Sequence, residues 1–173
     1  MVTAYTVVVL LVAVERLVEL VVSRRNIAWS RARGGVELGQ SHYPSMVVLH
    51  VGLLVGCLVE SRLTDRATPP ALAAVMLVLV LASQALRWWC IATLGPRWNT
   101  RIVVVPGLPP VTSGPYRYLR HPNYLAVVVE GLALPLLGSA WITAVVFTIL
   151  NAALLAVRIP QEEAALATLA VER

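Results

Sequence analysis

The sequence contains no lysine, and its fourteen basic residues are all arginine. Charged residues of both signs make up only 13% of the chain. A soluble domain carries about a quarter. With charge halved, 58% apolar residues and a mean hydropathy of +0.77, the chain reads as one solvated by a bilayer. Cysteine is equally scarce. Cys57 and Cys90 lie in or beside apolar runs, too few for a disulfide framework or a zinc site, and read as small buried hydrophobes. The histidines, His42, His50 and His121, have no acidic or thiol cluster around them, so no metal site is expected. Gly-x-Gly-x-x-Gly, the phosphate loop, His-Glu-x-x-His and Gly-x-Ser-x-Gly are all missing, which excludes the soluble nucleotide-binding folds. The net charge of +5 does not indicate nucleic acid, because the arginines are scattered among apolar runs rather than gathered on one polar face. Nor is there an internal repeat of the kind a carrier shows.

What the chain does have is long apolar segments. Residues 5–22 are about long enough to cross a ~30 Å hydrocarbon core at ~1.5 Å per residue. This run lacks a basic leader and a small-residue cleavage site, and it carries Glu15, Arg16 and Glu19, so it reads as a retained span. Arg16 and Glu19 are i,i+3 neighbours able to pair, and charges there should point into a bundle rather than at lipid. A polar loop over 23–43 follows, then a span over 44–59 in which His50 reads as a packing residue. The loop 61–69, with Arg62, Asp65 and Arg66, leads to a third span from Pro70 to about Leu86. Arg87, Trp88 and Trp89 fit an interface belt after it. Residues 95–120 are too rich in proline and glycine for a long helix, and Trp98, Asn99 and Arg101 suit an interface. Residues 125–137 and 141–157, joined by Gly138-Ser139, form a helical hairpin. Pro160 is expected to kink the chain before an amphipathic tail over 161–173.

The expected fold is therefore an all-α integral membrane protein of about five transmembrane helices, the last two a short helical hairpin. Residues 1–94 supply N-terminal helices and loops, and residues 95–173 the polar segment, the hairpin and an amphipathic helix. Arginine counting puts the first loop, the 95–120 segment and the tail together on the cytoplasmic side.

The densest chemistry lies in Thr112-Ser113-Gly114-Pro115-Tyr116-Arg117-Tyr118-Leu119-Arg120-His121-Pro122-Asn123-Tyr124. Pro122 suits the first turn of a helix and leaves the amides of Asn123 and Tyr124 near its positive end. Asn123 and Glu130, seven apart, share a helical face. Arg158 and Glu162 flank the Pro160 bend, with Glu163 beside them. Each residue alone has an ordinary use as an interface anchor or a helix-dipole partner. An aromatic Arg-His-Pro turn, an intramembrane Glu130 and an Arg158/Glu162 pair on one membrane face make an unusual set for anchoring alone.

These residues, followed by a short apolar hairpin, resemble the isoprenylcysteine carboxyl methyltransferase family over roughly residues 94–165. They are similar also to phospholipid methyltransferases and to the C-terminal part of sterol reductases. The combination of Arg-His-Pro-x-Tyr with a downstream Arg-x-x-x-Glu carries the likeness. It implies a multi-span enzyme in which Tyr116, His121, Pro122, Asn123, Tyr124 and Glu162, with Glu163 adjacent, hold S-adenosylmethionine. Arg158 then faces a lipophilic small-molecule substrate, and Arg158 and Glu130 are the candidate catalytic residues. The strip lining the cofactor in the family is Leu108, Pro109, Pro110 and Val111 here, able to offer backbone groups only. The glycine usual two residues after the motif tyrosine is Ala126. The N-terminal half, with Gly34-Gly35-Val36-Glu37 and His42-Tyr43-Pro44, looks like the bacterial subgroup that methylates alkylpyrones or alkylresorcinols. The resemblance to sterol reductases keeps a nicotinamide-dependent membrane reductase as an alternative, and a non-enzymatic membrane scaffold is the other.

Overall fold

The computed structural model describes residues 2–38, 43–64 and 66–171. His42 of the N-terminal motif and Asp65 of the second loop lie outside the described residues. Among the described residues five α-helices are formed: α1 (Val2–Arg31), α2 (Tyr43–Leu63), α3 (Pro70–Leu94), α4 (Pro122–Leu137) and α5 (Trp141–Val171). To the expected all-α fold the structure adds a two-stranded antiparallel ribbon of β1 (Val36–Leu38) and β2 (Ile102–Val104), with Val36 opposite Val104. Each strand is only three residues long and sits among Gly- and Pro-rich segments, which hides its alternation in the sequence.

Among the described residues three segments are both long and apolar enough to cross a bilayer: Tyr43–Leu63, Pro70–Arg97 and Trp141–Ala167. Of the other two expected spans, α1 has the length but carries Glu15, Arg16 and Glu19 mid-way. The 16-residue α4 rises only ~24 Å. Exposed Val and Leu side chains of α1, α2, α3 and α5 give the bundle an apolar exterior suited to lipid.

Three helix ends differ from expectation. Helix α1 runs on through Arg31, where a loop was expected, because its polar side chains bind backbone. Asn26 Nδ2 donates to the carbonyls of Gly95 (3.1 Å) and Trp98 (2.6 Å), and Ser23 Oγ accepts from the Thr100 amide at 3.0 Å. Helix α3 continues past Leu86, so Arg87 is not an interface residue. It is buried, with Nη2 3.0 Å from Glu130 and Nε 3.5 Å from Glu19. Helix α5 passes through Pro160 and includes the stretch read as a separate tail. Losing the one hydrogen bond that a proline nitrogen cannot donate does not end it here, and Arg158 and Glu162 stay on one helical face.

The core joins Tyr5, Val9 and Val12 of α1 to Leu53 and Cys57 of α2, Leu134 of α4 and Phe147 of α5. Helices α4 and α5 meet closely at Gly131, where a Cβ would fall 2.0 Å from the Phe147 ring. Small residues at helix contacts are how membrane bundles gain packing without help from water. The two ends of the bundle differ. At one, Tyr5 donates to the Leu134 carbonyl (3.1 Å), and Glu60 of α2 accepts from the first amides of α5 at 2.9 and 2.8 Å. At the other, the ribbon, the 3-10 turns Gly95–Arg97 and Gly114–Arg117, the start of α4 and the latter half of α5 come together.

Candidate functional site

The site begins at Gly114, whose φ of +57° favours glycine and where a Cβ would lie 2.4 Å from Thr93 Oγ1. This turn drops the chain onto the end of α3 and starts the 3-10 turn Gly114–Arg117. Pro115 is buried there, and Tyr116 packs beside Cys90. Burial first, then the Cys90 thiol and the Glu162 carboxylate, push the Tyr116 phenol well above its ordinary pKa, so it stays a neutral hydrogen-bonding group. His121 precedes α4, and Pro122 occupies its first turn, fully buried. Of the two amides expected to be available at this helix start, that of Tyr124 is taken by the His121 carbonyl at 3.1 Å.

The corner meets α5 through a chain of polar contacts. The His121 ring stacks on Tyr124 with centroids 5.5 Å apart. His121 Nε2 lies 3.2 Å from Glu163 Oε1, and Nδ1 lies 3.9 Å from Glu162. The Tyr124 hydroxyl donates to Glu162 and accepts from Arg158 Nε at 3.0 Å. Arg158, almost fully buried, also donates through Nη2 to the Thr100 carbonyl (2.6 Å), and its Nη1 is 3.1 Å from Met46 Sδ. Across the mouth, Arg101 Nη1 donates to Glu37 Oε1 at 2.6 Å, joining the ribbon's strand β1 to the segment before β2. The Glu37 hydrogen bond, more than the carboxylate's charge, raises the Arg101 pKa.

Two cavities adjoin these residues. The outer, about 570 Å³, is walled by the ribbon's second strand, the strip Leu108 to Val111, Tyr116, His121, Glu162 and Glu163. The inner, about 160 Å³, is lined by residues of all five helices. Its walls are largely apolar, with Leu20, Val51, Leu54 and Leu154 among them. Asn123, Tyr124 and Arg158, with Trp98 and Asn99, border both cavities and so form the partition between them.

Tyr116, His121, Asn123, Tyr124, Arg158, Glu162 and Glu163 are thus brought together around the outer cavity. Pro122 and Glu130 are not. Pro122 shapes the corner from behind. Glu130 lies two turns along α4, engaged with Arg87 (3.0 Å) and Arg16 (3.2 Å). Arg16 also pairs with Glu19 at 2.8 Å, as its i,i+3 spacing predicts. Sequence reasoning missed Thr100 and Met46 as partners of Arg158, and Trp98 as a wall. Trp98 had a signal: it stands in an irregular, Pro-bounded segment beside Asn99, yet it is buried rather than at an interface. His50 holds the packing role expected, with Nδ1 2.8 Å from the Met46 carbonyl and its ring edge-on to Phe147.

The family model described as "Isoprenylcysteine carboxyl methyltransferase (ICMT) family" matches residues 75–168, which take in α3, the corner and the polar part of α5. Over 153 residues the chain is 39% identical to the uncharacterized protein YpbQ of Bacillus subtilis (strain 168), covering 88% of this chain and 90% of that one. It is 28% identical over 155 residues to an uncharacterized protein of Haemophilus influenzae, covering 89% and 90%. No solved structure matches it.

Proposed function

The chain belongs to the isoprenylcysteine carboxyl methyltransferase family and is a membrane methyltransferase; from that premise we propose that it transfers the methyl group of S-adenosylmethionine to an oxygen of a lipophilic small molecule, on the cytoplasmic side of the membrane. The observation that carries this reading is the shared wall. A donor held in the outer cavity and an acceptor held in the inner one meet at Arg158, Tyr124 and Asn123.

The outer cavity suits the donor. Its volume lies within the ~300–1,000 Å³ usual for small-molecule sites. Glu162 and Glu163 supply acceptors for hydroxyl or ammonium groups, and Asn123 Oδ1 is buried with no hydrogen-bond partner among the described residues. Tyr116, Tyr124 and His121 supply ring faces and edges. When bound, the cofactor supplies an electrophilic methyl, which leaves sulfur as the acceptor oxygen's electron pair forms the new bond and the sulfur keeps the old pair.

The protein's part is positioning and exclusion of water. The reaction annihilates opposite charges, so a dry site and in-line alignment favour it. Arg158 offers a fixed cation to an ionised carboxylate, enol or phenol. Tyr124 holds the guanidinium through Nε and passes its own proton bond to Glu162, coupling the acceptor side to the donor side. The apolar walls of the inner cavity suit the greasy part of the acceptor, a polyketide-derived alkylpyrone being the first candidate.

The test is to incubate membranes containing the protein with methyl-labelled S-adenosylmethionine and to identify the lipid that gains label. Titrating purified protein with S-adenosylmethionine and with NADPH runs alongside. A labelled methyl on a lipid oxygen and affinity for S-adenosylmethionine alone are expected. Affinity for NADPH alone, or for neither, overturns the reading.

A further inference from the structure

The inner cavity has a second polar end that the proposed reaction does not use. Asn151, on α5, lines it and is 3% exposed, and its Oδ1 is buried with no hydrogen-bond partner among the described residues. A buried amide oxygen left unpaired costs of the order of a full desolvation penalty, so its partner is expected from a bound molecule. The neighbouring charges do not supply that partner. Arg16, Glu19 and Arg87 also line the cavity, with guanidinium nitrogens turned to carboxylates, Arg16 to Glu19 and Glu130 and Arg87 to Glu130, while Arg16 Nε and Arg87 Nε are buried without a hydrogen-bond partner among the described residues. Glu15 approaches Arg16 as well, at 3.8 Å. Three carboxylates thus face two guanidiniums, so the cluster carries no net positive charge to hold an anionic ligand group. What Asn151 Oδ1 lacks is a donor hydrogen.

The dimensions limit what brings it. A cavity of about 150 Å³ holds one benzene ring, and the inner cavity is about 160 Å³. Seven residues separate Asn151 from Arg158, two helical turns on one face and ~10 Å of rise. Helical side chains lean toward the N-terminus, which brings the guanidinium nearer to Asn151 than the two Cα atoms are. The remaining gap is that of a single ring with polar groups on opposite sides. Val47 and Val51, lining residues exposed on the outside of α2, leave a lateral way out to lipid for an alkyl tail.

We propose that the inner cavity binds a single-ring head group carrying two oxygen functions, one at Arg158 and Tyr124 where it is methylated, the other a hydroxyl that donates to Asn151, making Asn151 a specificity-determining residue. This rests on the methyltransferase reading above for which oxygen reacts, but the hydroxyl contact is a matter of binding.

The probes are a long-chain alkylhydroquinone, kept reduced, and the matching alkylphenol that lacks the hydroxyl opposite the reacting one. Affinity is measured by calorimetry in detergent, and methyl transfer is measured separately. The full-length protein is expected to bind the diol at least about tenfold more tightly than the phenol, in line with the loss seen when a buried polar partner goes unmatched. Asn151→Leu should bring the two affinities within about twofold by weakening only the diol. Asn151→Ala serves where the leucine variant does not fold, with S-adenosylmethionine affinity as the check on folding. Equal affinities in the unmodified protein, or a preference that survives both variants, overturn the proposal. A diol preference lost with Asn151 but no methyl transfer to either probe upholds it and counts against the reaction assigned above.

Discussion

Arg158 uses three directions of its guanidinium at once: Nε toward the Tyr124 hydroxyl, Nη2 toward the Thr100 carbonyl and Nη1 toward Met46 Sδ. A planar fork does this without changing rotamer; a lysine ammonium on a flexible stem cannot meet all three. Arg158→Lys is therefore expected to behave like Arg158→Ala, each lowering kcat by about a hundredfold or more, since misplacement by about an ångström costs that much. S-Adenosylmethionine affinity should stay within a few-fold of the parent, because Arg158 reaches Glu162, the acceptor proposed for the cofactor, only through the Tyr124 hydroxyl. Glu162→Ala should do the reverse, weakening the cofactor at least about tenfold, the worth of one charge-assisted hydrogen bond. Calorimetry and initial rates on the same preparations separate the two. Parallel losses of affinity and rate in the Arg158 variants would contradict the assignment.

The helices owe their ends to partners as much as to their own composition. Ser23 and Asn26 look like loop residues until their side chains are seen to close the backbone of residues 95–100. Arg87 looks like an interface anchor until Glu130 and Glu19 are set against it. A charge in a membrane helix is legible as an exception, but its partner lies dozens of residues away and is not. Glu130, expected at the site, is placed in an ion cluster that ties α4 to α1 and α3, and we propose that its role there is structural. Removing one member of a buried ion pair strands the other, at ~3–5 kcal/mol, whereas replacing both by well-packed apolar groups is often neutral. Glu130→Ala should accordingly lower the melting temperature in detergent sharply, with activity per folded molecule retained. Combining Glu130→Leu with Arg87→Met should recover most of the loss. A Glu130→Gln variant that melts normally but turns over at about a hundredth of the parent rate would instead make it catalytic.

Across the molecule, the site was readable wherever its side chains are chemically distinctive. The Arg-His-Pro-x-Tyr corner and Arg158 with Glu162 converge as their motif implies. What stayed hidden contributes through groups that every residue or any apolar residue offers: the Thr100 carbonyl, the Met46 thioether and the short ribbon over the outer cavity. The partition between the two cavities was likewise unreadable, because it exists only where the irregular 95–101 segment crosses α4 and α5. That partition makes the two halves of the reaction separable by bulk alone. Leu155 lines only the inner cavity and Val103 only the outer. Leu155→Trp adds volume where about 160 Å³ is available, so acceptor turnover should fall by about tenfold or more while S-adenosylmethionine affinity changes less than about twofold. Val103→Trp, facing the larger space, should weaken the cofactor and leave acceptor affinity intact. A single shared chamber would lose both affinities in each variant. Calorimetry with each ligand on both variants distinguishes two chambers meeting at Arg158 from one.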